Sequence, residues 1–143
     1  MRESAEVSAA RSAQMRRIRA RDTKPELLVR RALHAAGLRY GLHSKKLPGT
    51  PDLVLTGRKA TVFVHGCFWH RHPDPNCKLA RLPKSRRDFW EPKLTSNRIR
   101  DLKIKADLEE RGWFVFEVWE CQIGSADLQR LAEQLTALPK SSR

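Results

Sequence analysis

The sequence predicts one mixed α/β domain, on three observations. Two short β-rich runs, DLVL (52–55) and ATVFV (60–64), flank a glycine-containing TGRK turn. A third apolar run, WFVFEVW (113–119), stands alone far downstream. Helical signals precede, separate and follow these runs, so the expected order is helix, hairpin, helix, strand, helix. A length of 143 residues fits one domain with a sizeable core, and no internal repeat divides it. The expected boundaries are a flexible basic N-terminal arm over 1–21, the domain over 22–139 and a short tail over 140–143.

Each element has its own signal. In TKPE (23–26), Thr23 can cap a helix, Pro25 sits in its first turn, and Glu26 completes a capping-box spacing. Leu27, Leu28 and Leu33 supply an apolar face, and Gly37 supplies a stop. The turn near residues 57–58 places Asp52 across from Phe63, Val64 and His65, so the hairpin gathers a carboxylate, a strand-end backbone and an imidazole. Ser85–Asp88 can cap a helix that begins near Phe89 and continues over 95–111 to Gly112, with Pro92 expected to kink or divide it. After the third strand, Ser125 can cap a last helix with Leu128, Leu131, Leu135 and Leu138 on its apolar stripe.

Charge narrows the function. The formal net charge is +13, with 29 Lys and Arg against 16 Asp and Glu. Residues 11–31 carry eight basic and two acidic residues, residues 78–105 carry ten and three, and residues 112–139 carry one and four. A basic face with a neutral or acidic back suits a polyanion, nucleic acid first, although a generally basic soluble protein is the plain alternative. No run approaches the ~18–20 apolar residues of a membrane span, and the N-terminus lacks the apolar segment of a secretory signal. The expectation is a cytoplasmic protein that meets no membrane.

The stretch VHGCFWHRHPDPNC (64–77) holds three of the five histidines and two of the three cysteines. Cys67, His72, Cys77 and the distant Cys121 make a complete tetrahedral zinc set, closed to substrate and therefore structural. Three unrelated buried cysteines would be the bland reading of the same residues. His65, Phe68, Trp69 and His70 are left over. A carboxylate at a strand end, Asp52, beside a basic surface is what Mg²⁺ needs to meet a DNA phosphate, and a neutral histidine beside it can take a proton from water. Taken singly, Asp52 could cap a turn, and His70 could be a further metal ligand or a surface residue. Together they point to phosphodiester hydrolysis. Adjacent Phe68 and Trp69 in a loop, with Trp90 after the basic run KSRRDF, suit wedging between base pairs, whereas Phe63, Trp113, Phe114, Phe116 and Trp119 suit core packing.

These stretches carry a family likeness. RSAQMRRIRARDTKPE, LPGTPDLVL, VFVHGCFWHRH, Cys77, RRDFW, NRIRD and GWFVFEVWEC, in that order over about residues 11–121, resemble the very-short-patch repair (Vsr) endonucleases. The resemblance implies a restriction-endonuclease-like fold, a mixed central sheet flanked by helices with a structural zinc site. It also implies a Mg²⁺-dependent, strand-specific nick 5′ to the thymine of a T·G mismatch left by 5-methylcytosine deamination. Carried over by motif, Asp52 and the backbone of Val64 hold magnesium, His70 is the general base, and His65 assists at the phosphate. Asp101 orients His70 and Glu26 supports the site. Cys67, His72, Cys77 and Cys121 hold Zn²⁺. Phe68, Trp69 and Trp90 intercalate beside the mismatch, and the arm with Met15, Arg16, Arg17 and Arg19 reaches the DNA. The implied partner is duplex DNA with a T·G mismatch, bound by a nucleoid-associated monomer, with mismatch-repair proteins as further partners.

Three departures stand out. Val64 occupies a place where the family pattern can show Thr, which leaves a backbone ligand intact. The interval from His72 to Cys77 is lengthened by PDPN. The Glu-x-Lys of restriction enzymes is replaced at the second strand by Phe63, Val64 and His65, which accounts for the surplus histidines. A broader-specificity mismatch or restriction-type nuclease, and a non-catalytic zinc-stabilised DNA-binding module, are the competing readings.

Overall fold

The computed structural model describes residues 22–70, 72–82 and 85–140. The basic arm, with Met15, Arg16, Arg17 and Arg19, lies outside the described residues. The elements are α1 (Lys24–Ala35), β1 (Gly41–Leu42), β2 (Leu53–Leu55), β3 (Ala60–His65), α2 (Arg87–Glu110), β4 (Phe114–Trp119) and α3 (Ser125–Ala137). They form a mixed α/β fold around one four-stranded sheet in the order β1-β2-β3-β4. β1, β2 and β3 pair antiparallel, and β4 joins β3 in parallel. Among the described residues, no helix is long and apolar enough to cross a membrane.

Helix α1 starts where the sequence predicts. The Thr23 hydroxyl accepts from the Glu26 N–H at 3.3 Å, while the Glu26 carboxylate reaches back to the N–H of Asp22 rather than Thr23. Gly37, at φ 85°, ends it. Its buried face is Glu26, Val29 and Leu33; Leu27, expected on that face, is exposed. The hairpin turns through Thr56–Arg58 with Lys59 left-handed at φ 52°, and Leu53 pairs with Val62. The two-residue strand β1, too short to alternate, was not foreseen.

The helix that Pro92 was expected to kink or divide is one continuous element. Pro92 lies inside α2, within its first two turns, where the N–H it lacks serves only one carbonyl. No side chain of Ser85–Asp88 caps it; Arg86 takes the cap position at φ 57°. Gly124, not Ser125, caps α3, and its N–H donates to Asp127 Oδ2 at 3.3 Å.

Strand alternation divides the core. Leu53, Leu55, Val62 and Val118 pack with Val29 and Leu33 of α1 and with Leu128, Leu131 and Leu135 of α3. Phe63, His65, Glu117 and Trp119 therefore face the other way, towards α2, whose Leu94 and Leu108 are fully buried. Phe63 and Trp119 are buried as expected, whereas Phe114, at the solvent end of β4, is exposed.

Gly49 in the LPGTP turn is a tight point between the sheet and α2. At φ 78°, a Cβ there would lie 2.5 Å from Ile104 Cγ2 and 3.3 Å from Phe63 Cε2. Gly49→Ala is expected to lower stability by about 2–3 kcal/mol, from left-handed strain and overpacking together. A urea titration at saturating zinc measures this as a lower midpoint.

Candidate active site and metal centre

A cleft of about 480 Å³ opens on the α2 side of the sheet, lined among others by Asp52, Val64, His65, His70 and Asp101. The strand ends build it. Asp52 stands just before β2, and its Oδ2 accepts the Val64 N–H at 2.7 Å, the juxtaposition that the hairpin register predicts. The N–H and C=O of one strand residue face the same edge, so the Val64 carbonyl also faces the Asp52 side. Burial pushes the Asp52 carboxyl up to about 6, against the opposing Val64 hydrogen bond, with Glu26 adding to the rise. A carboxylate held uncomfortably in a cleft is suited to a cation.

The two histidines meet ring to ring, His65 stacked on His70 with centroids 4.2 Å apart. Asp101 Oδ2 lies 2.6 Å from His70 Nδ1. An ionised carboxylate only accepts, so Nδ1 carries the proton and Nε2 is left as the basic nitrogen. His65 Nε2 lies 3.0 Å from Glu117 Oε2, which also accepts from Arg98 at 3.2 Å. Burial lowers the His65 pKa, and the His65 hydrogen bond chiefly holds Glu117 down to about 2.

Glu26 enters through an intermediary. It is almost fully buried, paired with Arg30, and lies 2.6 Å from His43 Nε2. His43 in turn approaches Asp52 Oδ1 to 4.0 Å. Sequence reasoning missed His43, Glu117 and Arg98. The lone acid within the apolar run FVFEVW was a signal for Glu117; nothing in the sequence marked His43.

The cysteine cluster forms as the sequence predicts. One ligand atom from each of Cys67, His72, Cys77 and Cys121 lies within 4.8 Å of the others. Cys77 and Cys121 sulfurs are 3.8 Å apart, and Cys121 Sγ is 3.5 Å from His72 Nδ1. A zinc tetrahedron with 2.3 Å Zn–S bonds has sulfur–sulfur edges of about 3.7 Å. Burial pushes the Cys67 and Cys121 thiols up. The group fits a four-coordinate metal. His72 stacks on Trp119 at 4.2 Å, and Trp119 also touches His65 with ring centroids 4.9 Å apart. One indole therefore separates the metal cluster from the cleft.

Phe68, Trp69 and Trp90 gather edge to face, with centroids 5.1, 5.4 and 5.9 Å apart, all half-buried. Phe89 extends the group, exposed and beneath the guanidinium of Arg86. Asn97 of α2 donates to the Trp69 carbonyl at 3.0 Å and ties this loop to the helix that carries Asp101.

The family model described as DNA mismatch endonuclease Vsr matches residues 6–77. The chain is 47% identical over 121 residues to the type II nicking enzyme V.XorIIP of Xanthomonas oryzae pv. oryzae, covering 85% of each. It is 44% identical over 117 residues to the type II nicking enzyme V.NmeAIP of Neisseria meningitidis, covering 82% of this chain and 81% of that one. To the DNA mismatch endonuclease Vsr of Escherichia coli it is 40% identical over 115 residues, covering 80% and 72%. The chain therefore belongs to the Vsr family of DNA mismatch endonucleases.

Proposed function

We propose that this protein nicks one strand of duplex DNA 5′ to the thymine of a T·G mismatch, with Mg²⁺ at Asp52 and Zn²⁺ as a structural ion, on a restriction-endonuclease-like scaffold. The observation that carries the reading is the convergence of Asp52, the Val64 backbone and the Asp101–His70 pair in one cleft. Asp52 and the Val64 carbonyl would hold the ion. Bound there, Mg²⁺ supplies positive charge to the phosphate oxygens as negative charge develops on them.

The remaining chemistry belongs to side chains. His70, its Nδ1–H held by Asp101, takes the proton of the attacking water at Nε2. His65 assists at the phosphate beside it. Glu26 supports the Asp52 side through His43. Lys45 and Lys105, also in the cleft wall, offer charge to the DNA backbone. Phe68, Trp69 and Trp90 would enter the stack at the mismatch, where a weakly paired step costs least to open. The arm with Met15, Arg16, Arg17 and Arg19 would add contacts to the duplex. The protein would act as a monomer in the cytoplasm, on nucleoid DNA, in company with mismatch-repair proteins.

The test uses end-labelled duplexes, one with T·G and one fully paired, with and without Mg²⁺. A single Mg²⁺-dependent nick 5′ to the mismatched T is expected. Cleavage of both duplexes alike would retain the nuclease and remove its mismatch specificity; binding without a cut would leave only recognition. In the same assay, His70→Ala is expected to lower kcat by about 10²- to 10⁴-fold, the usual worth of a general base. Asp101→Asn, which no longer fixes the tautomer, is expected to cost about 10- to 100-fold. Neither should change KM, because both groups act on the proton in flight.

A further inference from the structure

Glu117 has no part in the reaction described above, yet it stands in the cleft wall. Parallel pairing sets it beside Phe63, so its side chain emerges on the sheet face that carries His65. Its Oε2 meets both His65 Nε2, at 3.0 Å, and the Arg98 guanidinium, at 3.2 Å. Arg98 lies three residues before Asp101 on α2, about one turn. One helix face thus holds both stacked histidines: Asp101 holds His70 directly, and Arg98 holds His65 through Glu117.

We propose that Glu117, locked by Arg98, is a positioning residue for the strand cut: it accepts the Nε2–H of His65, fixes that ring's tautomer and plane, and leaves Nδ1 as the acceptor nitrogen, the one that can take a hydrogen bond from water at the DNA phosphate. The inference rests on the roles given above to His65 and His70. An ionised carboxylate can only accept, so the 3.0 Å contact requires the proton on Nε2. A charged acceptor also holds the ring more firmly than an amide would. Arg98 completes the arrangement. An unpaired carboxylate facing the cleft would repel the DNA backbone, and the guanidinium both cancels that charge and lies over Trp119, 5.4 Å from the ring centre, against which His65 rests. His65 is therefore held at one nitrogen by Glu117, stacked against His70 and in tilted contact with Trp119, which also steadies the ring on which His70 stacks.

The test compares Glu117→Ala, Glu117→Gln and His65→Ala, singly and combined, in the full zinc-loaded chain. Nitrogen-15 imidazole shifts, recorded without Mg²⁺, are expected to show the Nε2–H tautomer of His65 in the wild type and a mixture of tautomers in Glu117→Ala. On the T·G duplex, kcat should fall about 10- to 100-fold with KM unchanged, less for Glu117→Gln, and Glu117→Ala should cost nothing further once His65 is alanine. If Glu117→Ala proves too unstable to assay, Glu117→Gln carries the same comparison. A retained single tautomer, or an equal loss of kcat in the His65→Ala background, would overturn the proposal. A wild type that makes no nick would sink the functional reading instead, and the tautomer measurement would still decide the role of Glu117.

Discussion

Asp52→Asn is expected to abolish Mg²⁺-dependent nicking and, in the same protein, to raise the stability of the fold. Loss of the charged ligand removes an interaction worth several kcal/mol to the transition state, hence about 10³-fold or more in rate. The gain in stability follows from the position of the carboxyl. Burial raises its pKa from 3.8 to about 6, so the fold prefers it protonated. The stability this contributes is complete below the ordinary carboxyl pKa and disappears as pH rises through 6. At pH 8 the folded protein holds an anion at a cost of about 1–3 kcal/mol, from 1.36 kcal/mol per pKa unit reduced for partial exposure. Asparagine removes the charge, and its amide oxygen can still accept the Val64 N–H. Urea titrations without Mg²⁺ should therefore show a higher midpoint for Asp52→Asn at pH 8, a gap that narrows as pH falls through about 6 and vanishes below the ordinary carboxyl pKa. Added Mg²⁺ should stabilise the wild type and leave the variant unmoved. Equal midpoints at pH 8 would mean that Asp52 is not held against its preference, and retained nicking would mean that it is not the ligand.

Asp52 also shows what the sequence could reveal. Its approach to Val64 follows from hairpin register alone, because a short turn and two alternating strands leave little freedom. The cysteine cluster was legible because few arrangements make use of three thiols and a histidine. What escaped were pairings across large sequence gaps. Glu117 meets His65 only because β4 joins β3 in parallel, with Phe63 beside Glu117, and no local pattern states that register. His43 meets Glu26 and Asp52 through the end of β1, a strand too short to leave a period. Leu27, expected on the buried face of α1, is exposed, while Val29 is buried, and α2 runs on through Pro92, which was expected to kink or divide it, since packing of Leu94 and Leu108 outweighs one missing hydrogen bond.

Removal of zinc is expected to unfold the domain, while removal of magnesium leaves it folded and inactive. Cys67, His72 and Cys77 lie in the loop after β3, and Cys121 lies at the end of β4, so the ion would close a link between residues 44 to 54 positions apart. Structural zinc contributes about 10–16 kcal/mol in small zinc-dependent folds, comparable with the ~5–15 kcal/mol that whole domains possess. Little would remain without it. Before global unfolding the cleft would already loosen, because His72 stacks on Trp119 and Trp119 supports His65. Burial-raised thiols should make zinc uptake release protons, so affinity should rise with pH. A strong zinc chelator at pH 7 is thus expected to abolish the cooperative melting transition seen by circular dichroism, and Cys67→Ser to reproduce the loss without chelator. Readdition of Zn²⁺ alone should restore the transition, and nicking should return only when Mg²⁺ follows. A chelated protein that melts at the wild-type temperature would show that the four side chains hold the loop without an ion, and the cluster would then be a packing feature rather than a metal centre.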